Sequence, residues 1–225
     1  MFITFEGIEG CGKTTQIKLL AKRLTQLGIP FIRTFEPGGT KIGHKIRRIL
    51  LDSRNQHLDP LAELLLYIAD RSQHMAEVVK PALTKGQWVL CDRFSDATVA
   101  YQGKARGQDL DLIRLLNAQA KAGIEPDLTF VLDCPVEVGL GRALQRNQSG
   151  ALKGQDRFER EKLAFHEKVR QAYLDLARQE PKRFVILDGM LPVTRIAEII
   201  QQHLQGFLIR KTEIKKPEFR QGLPK

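Results

Sequence analysis

Near the start of the chain, Gly7-Ile8-Glu9-Gly10-Cys11-Gly12-Lys13-Thr14 satisfies the spacing G-x-x-x-x-G-K-[ST] and is followed by Thr15. Glycine at these positions lets successive backbone N–H groups turn inward around a polyphosphate, and a helix starting at its end adds positive potential. Lys13 has the reach and charge to span β- and γ-phosphates, and the Thr14 hydroxyl suits Mg²⁺. Gly7 through Thr15 are therefore expected to cradle a nucleoside triphosphate such as ATP, with Thr14 as a metal ligand.

Three further constellations can meet such a ligand. Val89-Leu90-Cys91-Asp92-Arg93-Phe94 ends an apolar run in an acid followed by a base. Asp92 suits holding Mg²⁺ through water or steering an acceptor phosphate, and Arg93 suits a bidentate clamp on that phosphate; a surface ion pair is the plainer alternative. Tyr67 and Arg71 are four residues apart in a helical pattern, so a ring and a guanidinium share one helix face. They can hold a base between them, or be a core tyrosine beside a helical salt bridge. Arg142 and Arg146, also four apart, precede the polar, Gly-containing stretch Asn147 to Gln155, and Lys153 and Arg157 lie in or just after it. That stretch reads as a loop between helices, a lid spanning about 142–157, whose cations can meet a transferring phosphoryl group or form a solvated basic face.

The elements that must position these residues are legible as periodicity. Short apolar runs at Phe2 to Glu6, Pro30 to Phe35, Trp88 to Asp92, Leu128 to Asp133 and Phe184 to Leu187 read as five strands. Helical patterns occupy Lys13 to Leu27, Gly43 to Leu51, Pro60 to Lys85, Leu110 to Ala122, Pro135 to Arg146, Arg157 to Arg178 and Val193 to Leu204. Their alternation predicts an α/β fold around a mainly parallel sheet, which puts the phosphate loop and the Asp92-Arg93 pair at the sheet's carboxyl edge.

Composition bounds the rest. With 225 residues, 42% of them hydrophobic, the chain can bury one substantial core, and a single domain over 1–206 with a basic tail at 207–225 is expected. The longest apolar runs fall far short of the ~20 residues of a membrane span, and the first residues do not pattern as a signal peptide, so a cytoplasmic protein is inferred. Three cysteines without Cys-x-x-Cys spacing argue against disulfides and zinc. His44, His57, His74, His166 and His203 are scattered, and all five read as structural. The excess of 36 Lys and Arg over 26 Asp and Glu, a net +10, implies anionic ligands. A guanine-specific Asn-Lys-x-Asp and a switch Asp-x-x-Gly do not occur, which disfavours a GTPase.

Taken in order, the phosphate loop, Phe35-Glu36-Pro37-Gly38-Gly39-Thr40, Asp92-Arg93-Phe94 and Tyr101-Gln102-Gly103 resemble the thymidylate kinases, P-loop nucleoside-monophosphate kinases, from about Phe2 to Leu204. The resemblance implies a three-layer αβα fold with a five-stranded parallel sheet and a helical lid. It also implies transfer of the γ-phosphate of ATP to dTMP with Mg²⁺, giving dTDP and ADP for dTTP biosynthesis, by a homodimer. Matched by motif, Tyr67 would stack on thymine and Arg71 donate to its O4, while Glu9 would approach the sugar 3′-hydroxyl. Arg47 would join Arg93 on the monophosphate, and Glu36, Pro37, Thr98, Tyr101 and Gln102 would complete the substrate pocket. Two arrangements supply the catalytic cation in this family, an Arg within the phosphate loop or basic residues on the lid. Gly10 with Glu9 before it, against Arg142, Arg146 and Arg157 at the lid, matches the bacterial arrangement. Two rivals remain at this point: a kinase for another nucleoside monophosphate, and a basic nucleic-acid-binding ATPase, for which no aromatic-rich basic groove is seen.

Overall fold

The computed structural model describes residues 1–148 and 156–214. Five parallel strands, β1 (Phe2–Glu6), β2 (Phe31–Phe35), β3 (Trp88–Asp92), β4 (Leu128–Asp133) and β5 (Phe184–Asp188), form one sheet in the order β2-β3-β1-β4-β5. Every residue of β1 is buried, as expected of a central strand covered by helices on both faces. The register aligns Phe5 of β1 and Phe35 of β2 with Asp92 of β3, so the segments leaving these strands emerge together at the carboxyl edge.

Helix α1 (Lys13–Gln26) packs Ile17, Leu20 and Leu24 against Ile3, Phe5 and Phe130 on one face of the sheet. On the opposite face Phe2, Val89, Cys91 and Phe94 pack with Met75, Val79 and Ala82. Thr40 caps α2 (Lys41–Leu51) by accepting from the Gly43 N–H at 2.8 Å, and Asp59 caps α3 (Pro60–His74), whose first residue is proline. A π-helical turn, Met75–Val79, joins α3 to α4 (Lys80–Thr84), so the long predicted helix exists with one irregular turn.

Three differences from the periodicity matter. Ser95–Thr98 (α5) continues into a π-helical stretch, Val99–Ala105, where polar residues and Gly103 hide a helical pattern; α6 (Leu110–Lys121) follows. After α7 (Val136–Gln148), the helix expected from Arg157 begins six residues later as α8 (Leu163–Gln179), because Arg157 and Phe158 turn inward and are buried. The last helix, α9 (Val193–Ile214), runs past both the predicted end at Leu204 and the boundary at 206. The rest of the tail, and Ser149 to Gln155 of the predicted lid with Lys153, lie outside the described residues.

Candidate active site

The phosphate loop is built by backbone conformations that glycine supplies. Gly7, Gly10 and Gly12 have φ of 131°, 67° and 107°, and Gly12 starts α1 with no side-chain cap, leaving first-turn N–H groups directed at the loop. Gly10 presses against α7: a Cβ there would meet the Gly139 carbonyl oxygen at 2.0 Å. An arginine at this position is therefore sterically excluded, which gives a physical reason for the cation to come from elsewhere. Lys13, buried, donates to the Gly7 and Ile8 carbonyls at 3.0 and 2.8 Å. Thr14 Oγ1 donates to Asp92 Oδ2 at 2.8 Å, joining the two residues expected at the metal. Two hard oxygen donors beside a phosphate cradle fit Mg²⁺, which commonly takes one or two protein oxygens and fills its shell with phosphate and water. Among the described residues no cluster of three or more His, Cys, Asp or Glu forms an all-protein metal cage.

Beyond the loop, Arg93 stands at φ 70°, outside the usual region for a side-chain-bearing residue. Its Nη2 donates to Glu9 Oε1 at 3.0 Å, Nη1 donates to the Tyr173 hydroxyl at 3.1 Å, and the guanidinium lies 4.9 Å over the Tyr101 ring. Tyr101 donates to the same Glu9 oxygen at 2.6 Å, and His166 Nδ1 lies 3.3 Å from Glu9 Oε2. Burial pushes the Glu9 carboxyl up, but Arg93 foremost, with His166, Lys13 and Tyr101, outweighs it and holds the group well below the usual carboxylate range.

The far end of the cleft is organised by α3, whose Glu63, Tyr67, Asp70, Arg71 and His74 recur at helical spacing. Arg71 is 1% exposed. It donates to Glu36 (2.9 Å), Thr98 (3.0 Å), Asn117 (2.6 Å) and the Phe94 carbonyl (3.1 Å). One N–H through Nε, two through Nη1 and one through Nη2 are thus committed, leaving one of the five guanidinium hydrogens uncommitted. Glu36 is gripped from its other oxygen by His74 Nδ1 at 2.8 Å, while His74 Nε2 meets Thr34 at 2.6 Å. Gln102 is held by Glu63 at 2.8 Å. Arg47 donates to the Pro37 carbonyl at 2.8 Å and lies over the Phe35 ring, whereas its neighbour Arg48 faces outward.

Part of this network lines one cleft of about 1010 Å³. Its walls include Glu9, Gly10, Lys13 and Thr14 at one end and Tyr67, Arg71, Thr98 and Gln102 at the other, with Glu36, Pro37, Arg47, Asp92, Arg93 and Tyr101 between. On the lid side Arg146 reaches the wall, with its Nη2 4.0 Å from Glu159. Arg142 points to Cys134 instead, and Arg157, expected among the catalytic cations, is placed elsewhere. Arg157 is 5% exposed and bound to Glu63 Oε2 at 2.6 Å and the Leu50 carbonyl at 2.5 Å, so its charge is spent inside the fold. Sequence reasoning also passed over Glu63, Tyr173 and Glu6, and read His74 and His166 as structural. Only Glu6 carried a signal, an acid ending an otherwise apolar central strand.

Comparison with known proteins agrees with this geometry. The thymidylate kinase family model matches residues 5–200. A thymidylate kinase of Trichlorobacter lovleyi is 58% identical over 200 residues, covering 89% of this chain and 94% of its own. One of Geobacter sp. strain M21 is 54% identical over 204 residues, covering 91% of each. A crystal structure of thymidylate kinase from Ehrlichia chaffeensis superposes with a TM-score of 0.73 at 34% identity, covering 91% of this chain and 98% of that one. With the family model spanning most of its length and relatives more than half identical to it, this chain belongs to the thymidylate kinase family.

Proposed function

We propose that this chain transfers the γ-phosphoryl group of ATP to dTMP, giving dTDP and ADP. The observation that carries the reading is the cleft itself, with a phosphate cradle at one end and, at the other, a guanidinium fixed by four hydrogen bonds with one N–H to spare. A thymine carbonyl O4 matches that donor; the amino group at the same position of cytosine would set donor against donor, and the locked arginine cannot turn away. Tyr67 stacks on the base, Thr98 and Gln102 complete its pocket with Glu36 and Pro37, and the Tyr101 ring fills the space beside the sugar. Glu9, held ionised, accepts from the 3′-hydroxyl.

Lys13 exchanges its carbonyl partners for the β- and γ-phosphates, and the Gly7–Thr15 backbone wraps them. Thr14 and Asp92 would hold Mg²⁺, which would offset charge on the triphosphate. Arg93 and Arg47 orient the acceptor phosphate, already ionised, so its oxygen attacks in line and no covalent enzyme intermediate is needed. Arg146, on the wall of the cleft, brings a cation to the transferring group, whereas Arg142, expected to join it, points to Cys134.

Exposed Ile42, Ile49, Leu61, Leu65, Leu112 and Leu115 lie on α2, α3 and α6, which pack side by side, and this apolar face supports a homodimer. Among the described residues no helix is long and apolar enough to cross a membrane. We assign the enzyme to the cytoplasm, as one domain that runs through α9 to Ile214 and is followed by a basic tail, with no nucleic-acid partner. A coupled ADP-release assay with MgATP against dTMP, dUMP, dCMP, dGMP, AMP and no acceptor tests the reading. Release strongly preferring dTMP and lost in Lys13→Ala supports it, whereas release indifferent to monophosphates and stimulated by DNA overturns it.

A further inference from the structure

A second layer lies behind Arg93, and nothing in the chemistry above uses it. Glu6, the last residue of β1, is fully buried beneath the phosphate loop. Its Oε1 accepts the backbone N–H of Phe94 at 2.7 Å, and its Oε2 accepts the Tyr173 hydroxyl at 2.8 Å. That hydroxyl, contributed by α8, in turn accepts from Arg93 Nη1 at 3.1 Å. One carboxyl group therefore holds Arg93 twice: by the peptide that follows its left-handed backbone, and through Tyr173 by its guanidinium.

A left-handed conformation is unfavourable for a residue with a Cβ, so it persists where its surroundings fix it. The bond from Phe94 N–H to Glu6 supplies that fixation one residue downstream. Extended backbone at position 93 would swing the guanidinium out of contact with Glu9 and Tyr101, the two groups it shares with the sugar side of the cleft. We propose that Glu6 and Tyr173 are positioning residues for the acceptor phosphate, setting both the backbone and the guanidinium of Arg93 without touching substrate themselves. The proposal rests on the assignment of Arg93 to the acceptor phosphate.

Protonation makes the arrangement testable. Burial foremost, then the carboxylate of Asp96 on α5, pushes the Glu6 carboxyl up to about 8; Arg93 and the bonds from Tyr173 and Phe94 act the other way. Burial holds the Tyr173 hydroxyl and the Cys91 thiol well above their ordinary pKa values, and the Asp96 carboxylate is itself paired with Arg183. Glu6 is thus held toward its neutral form beside Arg93, which leaves Glu9 as the carboxylate that faces this cation. Above pH 8 the ionised carboxylate competes for that cation.

The test compares wild type, Glu6→Gln and Tyr173→Phe by steady-state kinetics from pH 6.5 to 9.5, varying dTMP and ATP separately. Wild type must first show a dTMP preference in the acceptor panel; a failure there sinks the proposed activity and is distinct from a failure here. Tyr173→Phe removes only the guanidinium arm, and is expected to lower kcat/KM for dTMP about tenfold while KM for ATP stays within about twofold. The alkaline fall of kcat/KM for dTMP near pH 8 is expected in wild type and absent from Glu6→Gln. Equal losses toward both substrates, or an alkaline limb that persists in Glu6→Gln, would overturn the proposal. If Glu6→Gln fails to fold, the Tyr173→Phe substrate split decides the question alone.

Discussion

Arg157 separates the charge pattern of the sequence from the structure, and its replacement by alanine discriminates between them. In the folded chain Arg157 and Glu63 are 5% and 1% exposed and 2.6 Å apart. Removing one partner of a buried pair costs about 3–5 kcal/mol. Glu63 retains Gln102 and Arg106 on its other oxygen, at 2.8 and 3.1 Å, which moderates the loss. The Leu50 carbonyl, stripped of its donor, and the lost contact 4.6 Å over the Phe158 ring add to it. The sum is about 4 kcal/mol, or about 8–16 °C in Tm for a chain of this size. If Arg157 instead met the transferring phosphoryl group, its removal would cost on the order of 10³-fold in kcat with little effect on melting. Differential scanning calorimetry and kcat at 20 °C with both substrates saturating read the two quantities separately. We expect Arg157→Ala to melt early with kcat within about fivefold of wild type, and Arg146→Ala to melt normally with kcat reduced about 100-fold. A normal melt with a thousandfold loss of kcat in Arg157→Ala would refute the structural assignment. Glu63→Gln combined with Arg157→Ala should cost about 1–3 kcal/mol less than the two single changes added together.

Other perturbations follow from named contacts. Gly10→Ala forces a methyl toward a backbone oxygen 2.0 Å away at φ 67°, and should weaken MgATP on the order of 10- to 100-fold by titration calorimetry; unchanged affinity would mean the loop has slack. Glu36→Gln disturbs the charge-assisted bond that aims Arg71, and should cost about 10- to 100-fold in kcat/KM for dTMP with KM for ATP unmoved; a matching rise for ATP would contradict it. Leu65→Glu with Leu115→Glu charges residues 47% and 58% exposed on the apolar face, and should yield a monomer by sedimentation; a persistent dimer would place the interface elsewhere.

What the sequence showed and what it hid divide along physical lines. The five strands and the phosphate loop were legible because burial on both sheet faces writes continuous apolar runs, and because a phosphate cradle demands glycine at fixed spacing. Tyr67 and Arg71 were legible as a pair because four residues return a helix to the same face. The buried partners were not. Arg71 draws on Glu36, Thr98 and Asn117, separated from it by 35, 27 and 46 residues, a convergence that only tertiary structure creates. Arg157 looked like a lid cation because a charged residue beside a polar loop reads as solvated. Its partner Glu63 lies 94 residues away and gave no sign of being buried. The stretch from Ser95 to Ala105 concealed its helicity because polar residues and Gly103 interrupt the apolar period.

The seam between Gly10 and Gly139 has a mechanical consequence. Loop and helix α7 meet there backbone against backbone, with no side chain between them to absorb displacement, so the contact acts as a fulcrum. Arg146 lies 146 − 139 = 7 residues further along α7, a lever of about 10 Å at the rise of a helix. A tilt of about 6° at the fulcrum carries the far end about 1 Å, a misplacement that is worth about 10²-fold in rate. On the proposed reaction, a shift of the loop at this seam would therefore move the Arg146 guanidinium, by a ratio set by where along the helix the second glycine falls.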